Sequence, residues 1–297
     1  MATAQTRLEY DSLPAVMPSY LKAATTLSGG LSGDQTIPEI VAELPELEVD
    51  ADALAKYRRV CGFSHSHQLP VTYPHVLAFP MHMAVMTQKR FPLKLLGLIH
   101  VRNEITQYRG IVSDEKLALE VSVGGHREVA KGVEFDLLTR MRDQAGDVIW
   151  EETGTMLSRQ KTSKSGSQRS GDKKNKSDDA SLDAEHVVEW DVPSNIGRQY
   201  AAAAGDYNPI HLSAYSAKLF GFPRAIATGM WTKARAAAEL EPELKQNAYT
   251  LSLAFKKPVF LPSKARFGYT LSEAGADFAL TNPKGDVPHL IGDVRYL

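Results

Sequence analysis

The chain has 297 residues, 43% of them hydrophobic and 23% charged, with 34 lysines and arginines against 35 aspartates and glutamates. That length has room for about two globular domains, and the balanced charge supplies no field for nucleic acid or an anionic membrane surface. A single cysteine, Cys61, excludes an intrachain disulfide and a multi-cysteine metal site, and no run reaches the roughly 20 apolar residues needed to span a bilayer, so the expected setting is cytoplasmic.

Residues 1–49 read as an N-terminal extension without chemistry. A short helix is predicted over 19–26, broken by Gly29, Gly30 and Gly33, and 38–47, with Pro45 inside it, reads as irregular, partly apolar chain. The pattern then firms up. Asp50 or Asp52 caps a helix through Ala53, Leu54, Tyr57 and Val60 that ends at Gly62, which makes the neighbouring Cys61 a buried small hydrophobe. A loop carrying His65, His67 and Pro70 follows. With no second ligand cluster to complete a coordination shell, those two histidines read as surface residues and no metal site is expected. A buried helix is predicted over 75–89, then strands over 98–105, 116–123, 132–142 and 148–157, with turns at 113–114 and 144–147. One helix followed by long antiparallel strands is an α+β arrangement, the sheet wrapped on the helix.

The stretch 160–180 has no aliphatic side chain larger than alanine and no aromatic, so it reads as a flexible linker. Beyond it the same order of elements returns. A strand is predicted over 186–190, and Pro193 and Ser194 open a helix that stops at Gly205. A long alanine-rich helix follows over 228–240, halted by Pro242, then strands over 249–256, 265–273, 277–282 and 289–296. Tyr57 and Gly62 in the first half match Tyr200 and Gly205 in the second, each a tyrosine five residues before a helix-ending glycine. Two copies of one fold, paired as a pseudo-dimer, are expected.

The chemistry gathers after Gly205, where Asp206, Asn208 and His211 surround Pro209. Proline forbids ordinary helix there, so the three polar groups are expected on a bent loop. Either this is turn chemistry alone, with His211 a buried, satisfied histidine, or the acid and the imidazole gather around one water molecule. At the matching offsets the first half holds Phe63, His65 and Gln68. It also lacks the segment 213–221, a short helix capped by serine and closed by glycine, and so has room for something bulky. His75, His82, His100, His126, His186 and His289 read as scattered. No glycine-rich phosphate loop follows a strand and no G-x-S-x-G elbow exists, which leaves nucleotide redox and serine hydrolase readings without a foothold.

The run from Tyr200 to Met230, YAAAAGDYNPIHLSAYSAKLFGFPRAIATGM, resembles the signature of the MaoC-like dehydratases and (R)-specific enoyl-CoA hydratases. The resemblance implies two hotdog modules: a degenerate one over 50–159 that shapes an acyl pocket, and a catalytic one over 181–297. It implies reversible hydration of 2-enoyl thioesters to 3-hydroxyacyl thioesters, with Asp206 and His211 as the catalytic dyad and no cofactor beyond the thioester substrate. Asn208 either helps hold the water or only fixes the turn. Gly229 either offers backbone donors to the developing oxyanion at a helix N-terminus or only allows close packing. Arg224, Thr228, Lys256 and Lys257 are assigned to substrate binding, with Lys264 a further cation near in sequence for the coenzyme's phosphates. The implied partner is a coenzyme A or acyl carrier protein thioester, and a homodimer of the two-module chain is allowed. Two residues depart from the family pattern: Ala204 where serine or threonine is usual, and Thr228 where histidine is common. A hotdog thioesterase and a catalytically silent acyl-thioester binding protein are the alternatives.

Overall fold

The computed structural model describes residues 5–25, 29–31, 35–166 and 184–297. Two compact units are built from interleaved segments. The first takes Met1–Glu48, Pro74–Asn103 and Asp114–Lys173, and the second takes Val49–Tyr73, Glu104–Ser113 and Lys174–Leu297.

In the first unit, strand β1 (Thr6–Glu9) lies parallel to β2 (Ile40–Leu47), and β2 continues antiparallel through β4 (Leu117–Val129), β5 (Gly132–Arg142) and β6 (Val148–Arg159). A surface helix, α1 (Val16–Thr25), links β1 to β2. The segment read as irregular chain is therefore a strand. Pro45 is tolerated because the pairing of β2 with β4 slips between Leu44 and Leu47, a bulge in which a missing backbone donor breaks no ladder bond. Ile40, Ala42, Leu44 and Leu47 of this strand are buried. Helix α3 (Tyr73–Met86) buries Leu77, Ala78, Met81 and Val85, and meets β5 and β6 through the side chains of His82 and His75. The β5–β6 turn forms where expected: Asp143 Oδ1 accepts from the Ala145 and Asp147 amides, and Gly146 takes φ 89°. Most of the expected linker lies outside the described residues. Its start is docked, since Gln160 donates to the Leu31 carbonyl, Thr162 to that of Val129, and Ser163–Gly166 forms one 3-10 turn.

Strand β3 (Ile99–Gln107) supplies residues to both units. In the second unit, β8 (Tyr249–Phe255), β11 (Pro288–Tyr296), β10 (Gly275–Thr281), β9 (Ser263–Ser272) and β7 (His186–Val192) pair antiparallel in that order. Helix α7 (Gly229–Leu240) touches both ends of this series. Lys233 Nζ donates to the Leu251 carbonyl of β8 at 2.9 Å, and the Trp231 ring meets Trp190 of β7 edge-on, centroids 6.2 Å apart. A sheet whose first and last strands both reach one helix must curl around it. The buried Ala234, Ala236, Ala237 and Ala238 keep the helix thin enough to be enclosed.

The internal repeat appears at atomic level. Helix α2 (Ala51–Cys61), capped by Asp50 on the Ala53 amide, and helix α4 (Ile196–Ala204) each end in a left-handed glycine, Gly62 at φ 84° and Gly205 at φ 76°. Each glycine amide donates to the carbonyl four residues earlier, on Arg58 or Ala201. The matched tyrosines, Tyr57 and Tyr200, meet with ring centroids 6.2 Å apart. Cys61 is fully buried, and burial pushes its thiol pKa up, so it is an inert packing residue. Among the described residues, no helix is long and apolar enough to cross a membrane.

Candidate active site

The left-handed turn at Gly205 redirects the chain out of α4, and Asp206 follows at once. Asp206 Oδ1 accepts from the Asn208 amide at 3.2 Å, and Asn208 Oδ1 accepts from the Ile210 amide at 3.4 Å as the cap of a helical turn, α5 (Pro209–Leu212). Pro209 sits at the start of that turn, where its missing N–H is no loss. His211 is thus on a helical turn and not on a loop, as the sequence suggested, because proline is excluded from a helix interior but not from its first position. The segment 213–221 forms helix α6 (Ala214–Leu219), with Ser213 Oγ accepting from the Ser216 amide and Gly221 at φ 83°, as expected.

The carboxylate and the imidazole face each other: Asp206 Oδ2 lies 4.0 Å from His211 Nε2, with side-chain exposures of 19% and 8%. His211 Nδ1 is 2.8 Å from the Ile226 carbonyl oxygen. A carbonyl only accepts, so Nδ1 carries a hydrogen and Nε2 is the ring nitrogen turned toward Asp206. A 4.0 Å gap exceeds a direct hydrogen bond, yet one oxygen at about 2.8 Å from both groups would subtend roughly 90°. The spacing leaves room for one oxygen atom between the two groups.

The same bonds deliver the end of α7. The Ile226 amide donates to the Ile210 carbonyl and the Ala227 amide to that of Val259, tying 225–227 to α5 on one side and to the chain after β8 on the other. Thr228 then caps α7 without a side-chain capping bond; it is 5% exposed and its Oγ1 has no hydrogen-bond partner among the described residues. Gly229 opens the helix, and the first helical N–H groups have no acceptor within the helix. A Cβ on Gly229 would stand 3.0 Å from the Phe255 ring, so the close-packing role is present, whatever the backbone donors also do. Arg224 lies over the Phe260 ring at 5.5 Å and is exposed, as are Lys256 and Lys257 directly after β8. Lys264 pairs with Asp191 at 3.2 Å. Ala204 is buried at the end of α4.

In the first copy, the matching loop is organised by a different device. The Arg58 guanidinium donates to the carbonyls of Ser64, Ser66 and Gln68, and Phe63 stacks on Tyr57. His65 and His67 are exposed. Among the described residues, no group of three or more His, Cys, Asp or Glu is placed to hold a metal ion.

Two features escaped the sequence reading. Gly197, inside α4, packs against α5 so closely that a Cβ there would lie 2.0 Å from the His211 carbonyl oxygen. A glycine inside an otherwise good helix is the signal for such an approach. The second is a correction: His75, His82 and His100 are not scattered. The His75 ring lies 5.3 Å from that of His82 and 6.4 Å from that of His100, in the first unit. His82 is buried with Nε2 at 2.7 Å from Thr139 Oγ1, and burial, with His75 nearby, pushes its pKa down from 6.5 to about 3. Across that window the unfolded chain binds a proton that the native chain does not, so stability rises with pH there and is lost on acidification, by up to about 1.4 kcal/mol per unit. Urea midpoints are expected to fall from pH 7 to pH 5, and His82→Gln to shrink that fall; an unchanged fall in the variant contradicts a neutral, enclosed His82.

Residues 177–284 match the family model described as MaoC like domain. Over 284 residues the chain is 35% identical to the 3-hydroxyacyl-thioester dehydratase X of Mycobacterium tuberculosis, covering 96% of this chain and 99% of that protein. The crystal structure of HtdX from the same organism superposes with a TM-score of 0.74 at 36% identity, covering 86% of this chain and 99% of that one. Another M. tuberculosis protein, described as a double hotdog fold, superposes at 0.52 with 13% identity over 90% of this chain and 96% of its own, a likeness of fold alone. The two-hotdog architecture expected from the sequence is the one these structures share with this chain.

Proposed function

The chain belongs to the MaoC-like dehydratases, and from that membership we propose that it adds water reversibly across the 2,3-bond of 2-enoyl thioesters, giving (R)-3-hydroxyacyl thioesters, through Asp206 and His211. The observation that carries the reading is the 4.0 Å spacing of Asp206 Oδ2 and His211 Nε2, with the imidazole tautomer held by the Ile226 carbonyl. In the hydration direction one member of the dyad takes a proton from water as the oxygen bonds to C3, and that same proton is then delivered from the dyad to C2, so that hydrogen and hydroxyl both come from the one water. The electron pair of the double bond passes through an enolate, whose oxygen is met by the backbone donors at Gly229. One oxygen shared by both groups places the added hydrogen and hydroxyl on one face of the double bond. The step uses protons and water alone.

Thr228 is assigned to the same thioester. A buried hydroxyl without a partner is unfavourable in the free protein, and a substrate that bonds it relieves that loss. Thr228→Val is therefore expected to keep or raise the melting temperature while lowering kcat/KM about tenfold. A variant with wild-type kcat/KM removes the hydroxyl from substrate binding. Arg224, Lys256 and Lys257 are assigned to the phosphates of coenzyme A or of a carrier-protein arm, where exposed cations suffice.

The test is a panel of trans-2-enoyl thioesters of rising chain length, followed by loss of enoyl absorbance with chiral analysis of the product. The reading expects (R)-3-hydroxyacyl thioester without released thiol. Thiol release with the enoyl bond intact identifies a thioesterase instead, and ligand-induced thermal stabilisation without turnover a binding protein.

A further inference from the structure

Helix α6, in the second unit, presents an exposed face that is both apolar and basic. Tyr215 is 85% and Leu219 84% exposed, four residues apart and so on one side of the helix, with exposed Lys218 beside them and Phe220, 38% exposed, at its end. The other side is fixed. Ala217 is fully buried, Ser213 Oγ accepts from the Ser216 amide at 3.1 Å, and Ser216 Oγ donates to the Pro209 carbonyl at 2.7 Å. The face is thus held on α5, the turn that carries His211, and is not a frayed end. At the corresponding place in the first copy, between α2 and α3, no helix is present, and the acid and imidazole are missing there too.

Charge around this face is one-sided, although the whole chain balances 34 bases against 35 acids. Residues 207–238 contain no aspartate or glutamate, and neither do residues 244–272; the acid just before the first stretch is Asp206, which belongs to the dyad. The two stretches meet. The Leu261 amide donates to the Ala225 carbonyl and the Ala227 amide to that of Val259, both at 2.8 Å, and Arg224 lies over the Phe260 ring. Arg198 adds another exposed cation, donating to the Leu212 carbonyl at 3.1 Å where α5 ends. Among the described residues, none of Arg198, Lys218 and Arg224 has a carboxylate partner.

Single exposed apolar side chains need no explanation, but three within six positions on an anchored helix, rimmed by cations, mark a surface for a partner. Coenzyme A does not account for it. Its phosphates would use the cations, whereas its adenine covers at most one of the three side chains. A carrier protein brings a surface of its own beside the acyl group: an acidic amphipathic helix sets apolar side chains against Tyr215 and Leu219 and carboxylates against Lys218, Arg224 and Arg198.

We propose that the exposed face of α6 docks the acidic helix of an acyl carrier protein, so that the substrate thioester is taken from that protein in preference to free coenzyme A. The inference rests on the acyl-thioester reading above but not on the Asp206–His211 chemistry.

The test compares one saturated acyl chain carried by a purified type II acyl carrier protein or by coenzyme A, with Kd from calorimetry on wild type, Lys218→Glu, Leu219→Ser and Lys218→Arg. These ligands have no double bond to hydrate. Wild type is expected to bind the carrier thioester about tenfold more tightly than the coenzyme A thioester. Lys218→Glu and Leu219→Ser are each expected to weaken the carrier complex about tenfold without changing Kd for the coenzyme A thioester, and Lys218→Arg to behave as wild type. Equal Kd for the two thioesters in wild type overturns the proposal, whether or not the variants fold. Variants that weaken both thioesters alike, or neither, overturn it as well. Without a carrier preference, sedimentation with phosphatidylglycerol vesicles that Leu219→Ser abolishes gives the face to a membrane, and a dimer that Leu219→Ser dissociates gives it to a second copy; either result overturns it. Carrier preference without hydration of enoyl thioesters leaves this surface standing and removes the dehydratase reading; hydration without a carrier preference does the reverse.

Discussion

Asp206→Asn and His211→Ala are each expected to lower kcat for enoyl thioester hydration by about 10²–10⁴-fold, the range over which a positioned acid or base contributes. Asp206→Asn keeps the size of the side chain and the acceptor that holds the Asn208 amide, so the turn survives and only the charge facing His211 is lost. His211→Ala also strips the Ile226 carbonyl, 8% exposed as a residue, of its partner. That variant is expected to lose about 1–3 kcal/mol of stability as well, whereas Asp206→Asn loses little. Steady-state kinetics beside thermal melts separate the two effects. A folded Asp206→Asn enzyme with wild-type kcat takes the carboxylate out of the mechanism. If the pair acts on one oxygen, the double variant is expected to be little slower than the slower single variant.

The second large effect is expected at a residue without a functional group. Gly197→Ala puts a methyl 2.0 Å from the His211 carbonyl oxygen, and a backbone atom in a helical turn has nowhere to yield except by moving that turn. Displacing His211 by about 1 Å from Asp206 is enough to cost roughly 10²-fold in rate, with about 1–3 kcal/mol of stability lost to overpacking. Gly229→Ala is the comparison. Its methyl meets the edge of the Phe255 ring at 3.0 Å, a side chain that can shift by a few tenths of an ångström. The milder loss is expected there, and a Gly197→Ala enzyme as active as wild type would detach the dyad geometry from the α4–α5 contact.

Much of the fold is written in local signals. The strand 132–142 coincides with β5, the helix ended by Gly62 with α2, and the α7 and β8–β11 series follows the expected order within two residues at most boundaries. Capping glycines and alternating strands are short-range physics, so the sequence carries them openly. What it hides depends on partners distant in the chain. Pro45 reads as a breaker until β4 supplies the bulge that accommodates it. At the site, Asp206, Asn208 and His211 lie within six positions, and their convergence is legible from the turn chemistry between them. The Ile226 carbonyl that sets the His211 tautomer is fifteen residues on, and no residue type announces a backbone acceptor. His75 and Glu152 are 77 residues apart, joined only when α3 is laid against β6. Histidines that look isolated along the chain are therefore gathered only by tertiary packing.

Hydration of a trans-2-enoyl thioester in deuterium oxide, with the product resolved by proton NMR, reaches the shared-oxygen geometry most directly. If Asp206 and His211 serve one oxygen from the same side, the product is a single diastereomer carrying deuterium at C2 and hydroxyl at C3 on one face, formed without free thiol. Deuterium on the opposite face, or an even mixture at C2, would mean that the two groups do not work on the same oxygen.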